Sequence, residues 1–345
     1  MAFSEKRDNV KDYYGKVLSS SSGLRTSACS ARAAPHPVVC KIIRTKIPDA
    51  VNERFYGCGN PIPLGIGGMD VLDLGSGSGR DSYVAAALVG PTGSVTGIDM
   101  TDEQLQVART NVPSLAKALG FQPKLRFLAG YIEDLKSAGV ASASVDLCIS
   151  NCVVNLSPDK HAVLSSVFES LRRGGELHFA DMYADRTVPA HLGENKVLHG
   201  EGLAGALFVA DFERMACQIG FAHPRVLDAK RIDVFDPELR ALVGDTQYYS
   251  VTYRLFKLDN NSAGGATGKV AVYRGTVDGC QDRYVLDASS SFDTGTPTSV
   301  GAETAAVLEG SWLARHFTFE PLLGFDDVAA TESSAPTTLS MLQSL

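Results

Sequence analysis

The sequence predicts an α/β protein built on a doubly wound, Rossmann-like parallel sheet. Three observations predict it. First, Met69–Asp81 joins an apolar run (Val71, Leu72, Leu74) to glycines at Gly75, Gly77 and Gly79, and alanine-rich, helix-forming sequence follows over Ser82–Val89. This reads as a buried strand, a tight loop and a helix. Second, Val95–Met100 is a further strand that ends at Asp99, an acid about twenty residues past the glycine loop. Third, strand and helix patterns keep alternating as far as Tyr183.

The elements follow in order. Residues 5–20 have the spacing of a short amphipathic helix and carry Tyr13 and Tyr14. A polar loop then ends at Cys29. Residues 31–40 hold two prolines and read as extended, and Ile42–Arg54 reads as a helix. Phe55–Gly68 is too rich in Gly and Pro to be regular, and it delivers Cys58 just before the first strand. Past Asp99, Thr101 is placed to cap a helix over Glu103–Leu119. Lys124–Ala129 and Ser144–Ser150 are strands, and Asn151 and Cys152 leave the carboxyl end of the second, where open α/β sheets bind ligands. Ser157–Pro158 starts a helix that runs to Leu171, and a strand follows Gly174–Gly175. Asp211–Ile219 is a helix, while Val226–Leu239 and Tyr248–Lys257 have strand composition. Lys269–Leu286 reads as a strand pair. The expected division is an N-terminal segment (1–62), the sheet domain (63–185), a mixed region (186–260), a C-terminal α+β unit (261–330) and a disordered tail (331–345).

Composition excludes several classes. The chain has 345 residues, 44% hydrophobic and 21% charged, enough for a sizeable core. Its net charge of −7, with no basic cluster, argues against a nucleic-acid partner. No apolar run approaches the roughly 20 residues of a membrane span, and the charged N-terminus lacks a secretory pattern. Seven cysteines in such a chain point to thiols and a cytoplasmic setting.

The glycine loop names a cofactor. A dinucleotide loop reads G-x-G-x-x-G, with the pyrophosphate on the helix N-terminus. Here the pattern is D-x-G-x-G-x-G, and Asp73 precedes it on the strand. That acid would repel a pyrophosphate and suits the ammonium of a methionine moiety, which favours S-adenosylmethionine. Asp99 suits the hydroxyls of a ribose. Glu133, in Tyr131–Leu135, stands where such folds place a carboxylate near the adenine amino group.

Cys29, Cys58 and Cys152 are placed to converge on the open face of the cofactor site, and thiolates suit soft, thiophilic elements. Cys40, Cys148 and Cys217 read as buried small apolar residues, and Cys280 lies in a turn. No C-x-x-C pair exists, which disfavours structural zinc.

These stretches resemble the arsenite methyltransferases, S-adenosylmethionine-dependent enzymes that methylate trivalent arsenic. The matching segments cover most of residues 10–260 in order. They include Y-Y-G-K-V-L (13–18), L-R-T-S-A-C (24–29), R-F-Y-G-C-G-N-P-I-P (54–63), V-L-D-L-G-S-G-S-G-R-D (71–81), S-N-C-V-V-N-L (150–156) and G-E-G-L-A-G-A-L (200–207). The resemblance implies a class I methyltransferase sheet, with 186–260 as an arsenic-binding region. It implies a cofactor site lined by Gly75, Gly77, Asp99, Met100 and Ile132. Asp73 and Asn151 would sit at its methionine end, and Tyr14 would fold over it. It implies arsenic held by Cys152, position 202 and Cys58, with Cys29 as the redox partner of Cys58. Position 202 is a cysteine in the family's motif and is Gly202 here. Arsenic on thiolates keeps a lone pair that attacks the sulfonium methyl in line. A disulfide formed on product release would be reduced by thioredoxin or glutathione, and the enzyme would act as a cytoplasmic monomer. Two alternatives follow from the missing thiol: another thiophilic or small-molecule acceptor, or an arsenic-binding protein without catalysis.

Overall fold

In the computed structural model, residues 35–55, 57–195, 197–198, 202–259, 268–321 and 337–345 are described. Tyr14 and Cys29 lie outside them. The first helices are α1 (Pro37–Lys46) and α2 (Asp49–Asn52). Of the two prolines expected to keep 31–40 extended, Pro37 instead starts α1. Pro37 sits in the first turn, where no N–H is needed, and the His36 ring accepts the Val38 N–H at 3.3 Å. The single helix expected over Ile42–Arg54 breaks at Ile47, which precedes Pro48 and is extended (ψ 127).

The predicted alternation then follows: β1 (Asp70–Leu74), α3 (Arg80–Val89), β2 (Ser94–Asp99), α4 (Asp102–Leu119), β3 (Lys124–Ala129), β4 (Val145–Asn151), α5 (Lys160–Ser170) and β5 (Leu171–Ala184). Thr101 holds the cap position of α4 without a side-chain bond to the helix, and α5 is capped by Asp159, which accepts the Ala162 N–H at 2.9 Å. Next come β6 (Leu207–Phe208), α6 (Val209–Ile219), β7 (Arg225–Ile232), α7 (Pro237–Val243) and β8 (Tyr248–Phe256). The strand expected over Val226–Leu239 stops at Ile232 because Pro237 and the Asp236 cap start a helix.

The sheet runs β3-β2-β1-β4-β5-β8-β7, with β6 beside the end of β5. β1 to β5 are parallel, and β8 and β7 add antiparallel strands. Period-two alternation splits β1 between the layers. Val71 packs in the cluster that contains Tyr83, Val84 and Leu147, and Leu72 and Leu74 pack in the opposite one with Leu164, Leu177 and Phe179. Cys148 is buried in that second layer, as expected, with its thiol pushed up to about 12 by burial. Cys217 and Cys40 are instead exposed. The apolar stripe of α6 is Val209, Phe212 and Ala216, and it turns Cys217 outward.

The C-terminal elements are β9 (Lys269–Tyr273), β10 (Arg283–Asp287), β11 (Ser290–Asp293), β12 (Pro297–Val300), α8 (Ala302–Gly310), β13 (Phe317–Pro321) and α9 (Thr338–Gln343). The strand pair expected within Lys269–Leu286 does not form: β9 pairs with β12 and β13, while β10 pairs with β11. The connection between β9 and β10 is pinned by the Tyr273 hydroxyl, which accepts the Val277 N–H at 3.1 Å and donates to the Cys280 carbonyl at 2.9 Å. The tail expected to be disordered contains α9, whose Leu342 is fully buried in the second core layer.

A buried ion pair joins these C-terminal strands to the sheet. Arg254 on β8 meets Glu176 on β5 through two bonds of 2.7 and 2.9 Å, and also donates to the Tyr284 hydroxyl and the Leu286 carbonyl. The Trp312 indole donates to the same carboxylate at 2.7 Å. Burial, the largest single effect, would raise Glu176, but the Arg254 charge together with the hydrogen bonds from His178 and Arg254 outweighs it and holds the carboxyl at about 2. Among the described residues no helix is long and apolar enough to cross a membrane.

Candidate active site

Neighbouring strands β1 and β4 send their chains to opposite sides of the sheet, since β2 lies beyond β1 and β5 beyond β4. Ligands bind at such a switch point, beyond the carboxyl ends of the strands. One cavity opens there. Its walls bring together Asp73, Gly75, Gly77, Asp99, Met100, Ile132, Glu133, Asn151 and Cys152, all singled out in the sequence. They also include Phe55, Ser76, Asp81, Thr101, Gln104, Tyr131 and Ser157, which were not.

The glycine loop has the shape that its composition demands. Gly75 has φ +61, and a Cβ there would fall 2.5 Å from the Val153 side chain. Gly77 has φ +52 and would direct a Cβ into open space beside the cavity. The Gly77 N–H donates to one oxygen of Asp99 and the Thr101 N–H to the other, each at 2.8 Å. Burial pushes the Asp99 carboxyl up against these donors. Asp73 is 3% exposed and accepts the Ser82 hydroxyl at 2.5 Å. Burial first, then the neighbouring charges of Asp81 and Asp99, push it well above the usual carboxylate range. Asp73 lies on the cavity wall, where the charge of an incoming ammonium would favour its ionised form. With the open wall at Gly77 and the acid at the end of β2, it gives the fit required by S-adenosylmethionine. Glu133 accepts the Ser157 hydroxyl at 2.7 Å.

Cys152 stands on the wall of the same cavity, and Cys58 meets it from behind that wall. Cys152 follows β4 in the left-handed region (φ +58), with its N–H bound to the Ala180 carbonyl at 2.8 Å. Cys58 comes from the loop before β1, is fully buried, and has its carbonyl bonded to Ser250. The two are joined as a disulfide with Cα atoms 5.8 Å apart. The resemblance paired Cys58 with Cys29 for redox chemistry; here its bond is to Cys152. Among the described residues no group of three His, Cys, Asp or Glu is placed to hold a metal ion. Gly202 is buried with φ +80, and a Cβ there would fall 2.3 Å from Cε of Met182. Met182 belongs to the apolar cluster, with Leu192, Leu198 and Leu203, against which Cys152 packs.

A family profile described as a methyltransferase domain matches residues 67–223, and one described as the arsenite methyltransferase C-terminal domain matches residues 266–339. The arsenite methyltransferase of Aquipseudomonas alcaligenes is 45% identical to this chain, over 90% of each. The chain belongs to the arsenite methyltransferase family. The Mus musculus arsenite methyltransferase is 44% identical over 92% of this chain and 84% of its own. A crystal structure of an arsenic(III) S-adenosylmethionine methyltransferase from Chlamydomonas reinhardtii matches with a TM-score of 0.79 and 48% identity, over 84% of this chain and 97% of that one.

Within this family member, sequence reasoning missed Asp81. It sits in the quoted glycine-loop motif, but an acid in the first turn of a helix ordinarily reads as a partner of the helix dipole. In the structure its carboxylate lies on the cavity wall, accepts from Asn151 at 2.8 Å and pairs with Arg80, whose guanidinium stacks 3.3 Å from the Phe55 ring centroid. Asn151 reaches the cavity as expected, yet both of its amide hydrogens are spent on protein acceptors.

Proposed function

We propose that this protein transfers methyl groups from S-adenosylmethionine to trivalent arsenic, as arsenite or methylarsenite, held by the thiolates of Cys58 and Cys152. The observation that carries this reading is that Cys152, on the wall of the cavity that holds Asp73, Gly77 and Asp99, is joined to Cys58. Asp99 would accept from the ribose hydroxyls, and Asp73 would face the ammonium. The backbone at Gly75 and Gly77 would lie along the ligand, Met100 and Ile132 would flank the adenine, and Glu133 would take its amino group. Asn151 supports the methionine end from behind. By resemblance, Tyr14 covers the cofactor and Cys29 serves as a further redox thiol.

When bound, the cofactor supplies a methyl group already activated on a sulfonium. The protein's task is alignment. Arsenic bonded to thiolates retains a lone pair, so no general base is needed, and positioning of that pair lowers the barrier. The disulfide must first open: a thiol of glutathione or thioredoxin attacks one sulfur and releases the other as thiolate, and a second thiol resolves the mixed disulfide, freeing both cysteines and leaving the reductant as its own disulfide. We place the enzyme in the cytoplasm as a monomer.

The test is single-turnover transfer of a labelled methyl from the cofactor to arsenic, using wild type and Cys58→Ser and Cys152→Ser variants. Wild type yields labelled methylarsenic, and each variant loses it while still binding S-adenosylhomocysteine. Labelled product from both serine variants at the wild-type rate would overturn the assignment.

A further inference from the structure

Asn151 immediately precedes Cys152, and Gly59 immediately follows Cys58. The Asn151 side chain pairs with the Gly59 peptide at both ends, accepting its N–H at 3.0 Å and donating to its carbonyl at 3.1 Å. The other amide hydrogen goes to Asp81 at 2.8 Å. Asp81 therefore fixes which way the amide faces, because a flipped amide would point its oxygen at a carboxylate. The loop comes this close because its residues are small. A Cβ on Gly57 would fall 2.4 Å from the Asn151 side chain, and one on Gly59 would fall 2.1 Å from the Ala180 Cβ. A hydrogen-bonded link thus runs parallel to the sulfur–sulfur bond, one residue from each cysteine.

We propose that Asn151, oriented by Asp81, is the positioning residue of the dithiol. Its pairing with Gly59 holds Cys58 beside Cys152 after the disulfide is reduced. The two thiols then stay at a spacing that one soft trivalent atom can bridge. Without this link, every closure on arsenic, or back to the disulfide, has to order the Gly57–Gly59 segment again. The inference depends on the proposed function only for the identity of the bridging atom.

The test uses the full chain and needs neither arsenic nor cofactor. The reduced protein is equilibrated with glutathione disulfide. The two cysteine thiols give up two protons and two electrons, the Cys58–Cys152 bond forms, and two molecules of glutathione are released. The oxidised fraction is read by mass spectrometry. In Asn151→Ala the equilibrium shifts toward the dithiol by about tenfold, which is about 30 mV for a two-electron couple. Asp81→Asn keeps the Gly59 bonds but frees the amide to turn, so the shift has the same direction and is smaller. A merely structural Asn151 would destabilise both redox forms equally and leave this equilibrium in place. A shift below twofold in Asn151→Ala would therefore overturn the proposal. A second measurement needs no variant: in reduced wild type the Gly59 amide stays protected from hydrogen exchange. Exchange at the unprotected rate once the disulfide is opened would also overturn it. A redox shift without arsenic methylation would count against the proposed function and leave the pairing intact.

Discussion

Replacing Asp99 by asparagine tests the cofactor reading at one atom pair. Each Asp99 oxygen already takes one backbone N–H, from Gly77 and from Thr101. A carboxylate has about four acceptor positions, and the Thr101 side chain and the Met100 backbone also donate toward Asp99, so a ribose diol would have to share with or displace these further donors. The amide removes the charge and turns one acceptor into a donor, which must face either a backbone N–H or the diol. A hydrogen bond to a charged group is worth about 1.5–3 kcal/mol, so affinity for S-adenosylhomocysteine should fall by about 10- to 100-fold. Stability should change little, because burial already disfavours the charged Asp99 and offsets the loss of one backbone bond. The assay is isothermal titration of both proteins, with their unfolding midpoints measured alongside. A pH series adds a second arm. The Asp99 carboxyl is raised, so wild-type affinity starts to fall on acidification above the usual carboxylate range, and the Asp99→Asn variant lacks that step. An affinity within threefold of wild type in a folded variant would refute the reasoning.

Further outcomes follow from the same geometry. Arg254→Met leaves the buried Glu176 without its cation, with only the Trp312 indole and His178 beside it, at a cost of about 3–5 kcal/mol, read as a lower denaturant midpoint. In wild type, Glu176 is held at about 2, below its usual 4.5, so its contribution is present at neutral pH and lost as pH falls toward 2. In the methionine variant acidification instead restores stability. Burial raises Asp181 from 3.8 to about 6, so its contribution is present at low pH and disappears as pH rises through about 6. Asp181→Asn should flatten the midpoint across that window. Gly202→Cys should cost about 1 kcal/mol or more, because a side chain is strained at φ +80. It should also raise arsenite turnover relative to methylarsenite, and an unchanged ratio would show that a third protein thiol does not matter.

The site was legible in the sequence where its signals were local. The apolar run, the glycines and Asp99 lie within one strand–loop–helix–strand segment, and β1, the loop and β2 follow it closely. The thiols at 58 and 152 were legible by residue type and by their position at segment ends. Their convergence was expected, but the bond between them, which joins residues 94 apart in the chain, was not. The Asn151–Gly59–Asp81 linkage was hidden for the same reason, and because an amide carries no sign of which peptide it will grip. Strand composition in the C-terminal third marked β9 and β10 and paired them with each other, but tertiary contacts sent them to different sheets. Cys217 was misplaced by helical phase: the buried stripe at Val209, Phe212 and Ala216 passes one residue before it.

The measurement that tests the central claim most directly is arsenic speciation. The reduced protein is incubated with S-adenosylmethionine, glutathione and either arsenite or methylarsenite, and the products are separated and quantified. The account predicts methylated arsenic that depends on both Cys58 and Cys152, with methylarsenite turned over faster because it needs only two thiolates. Bound cofactor with no methylated arsenic from either substrate would contradict it and point to another acceptor at the same dithiol.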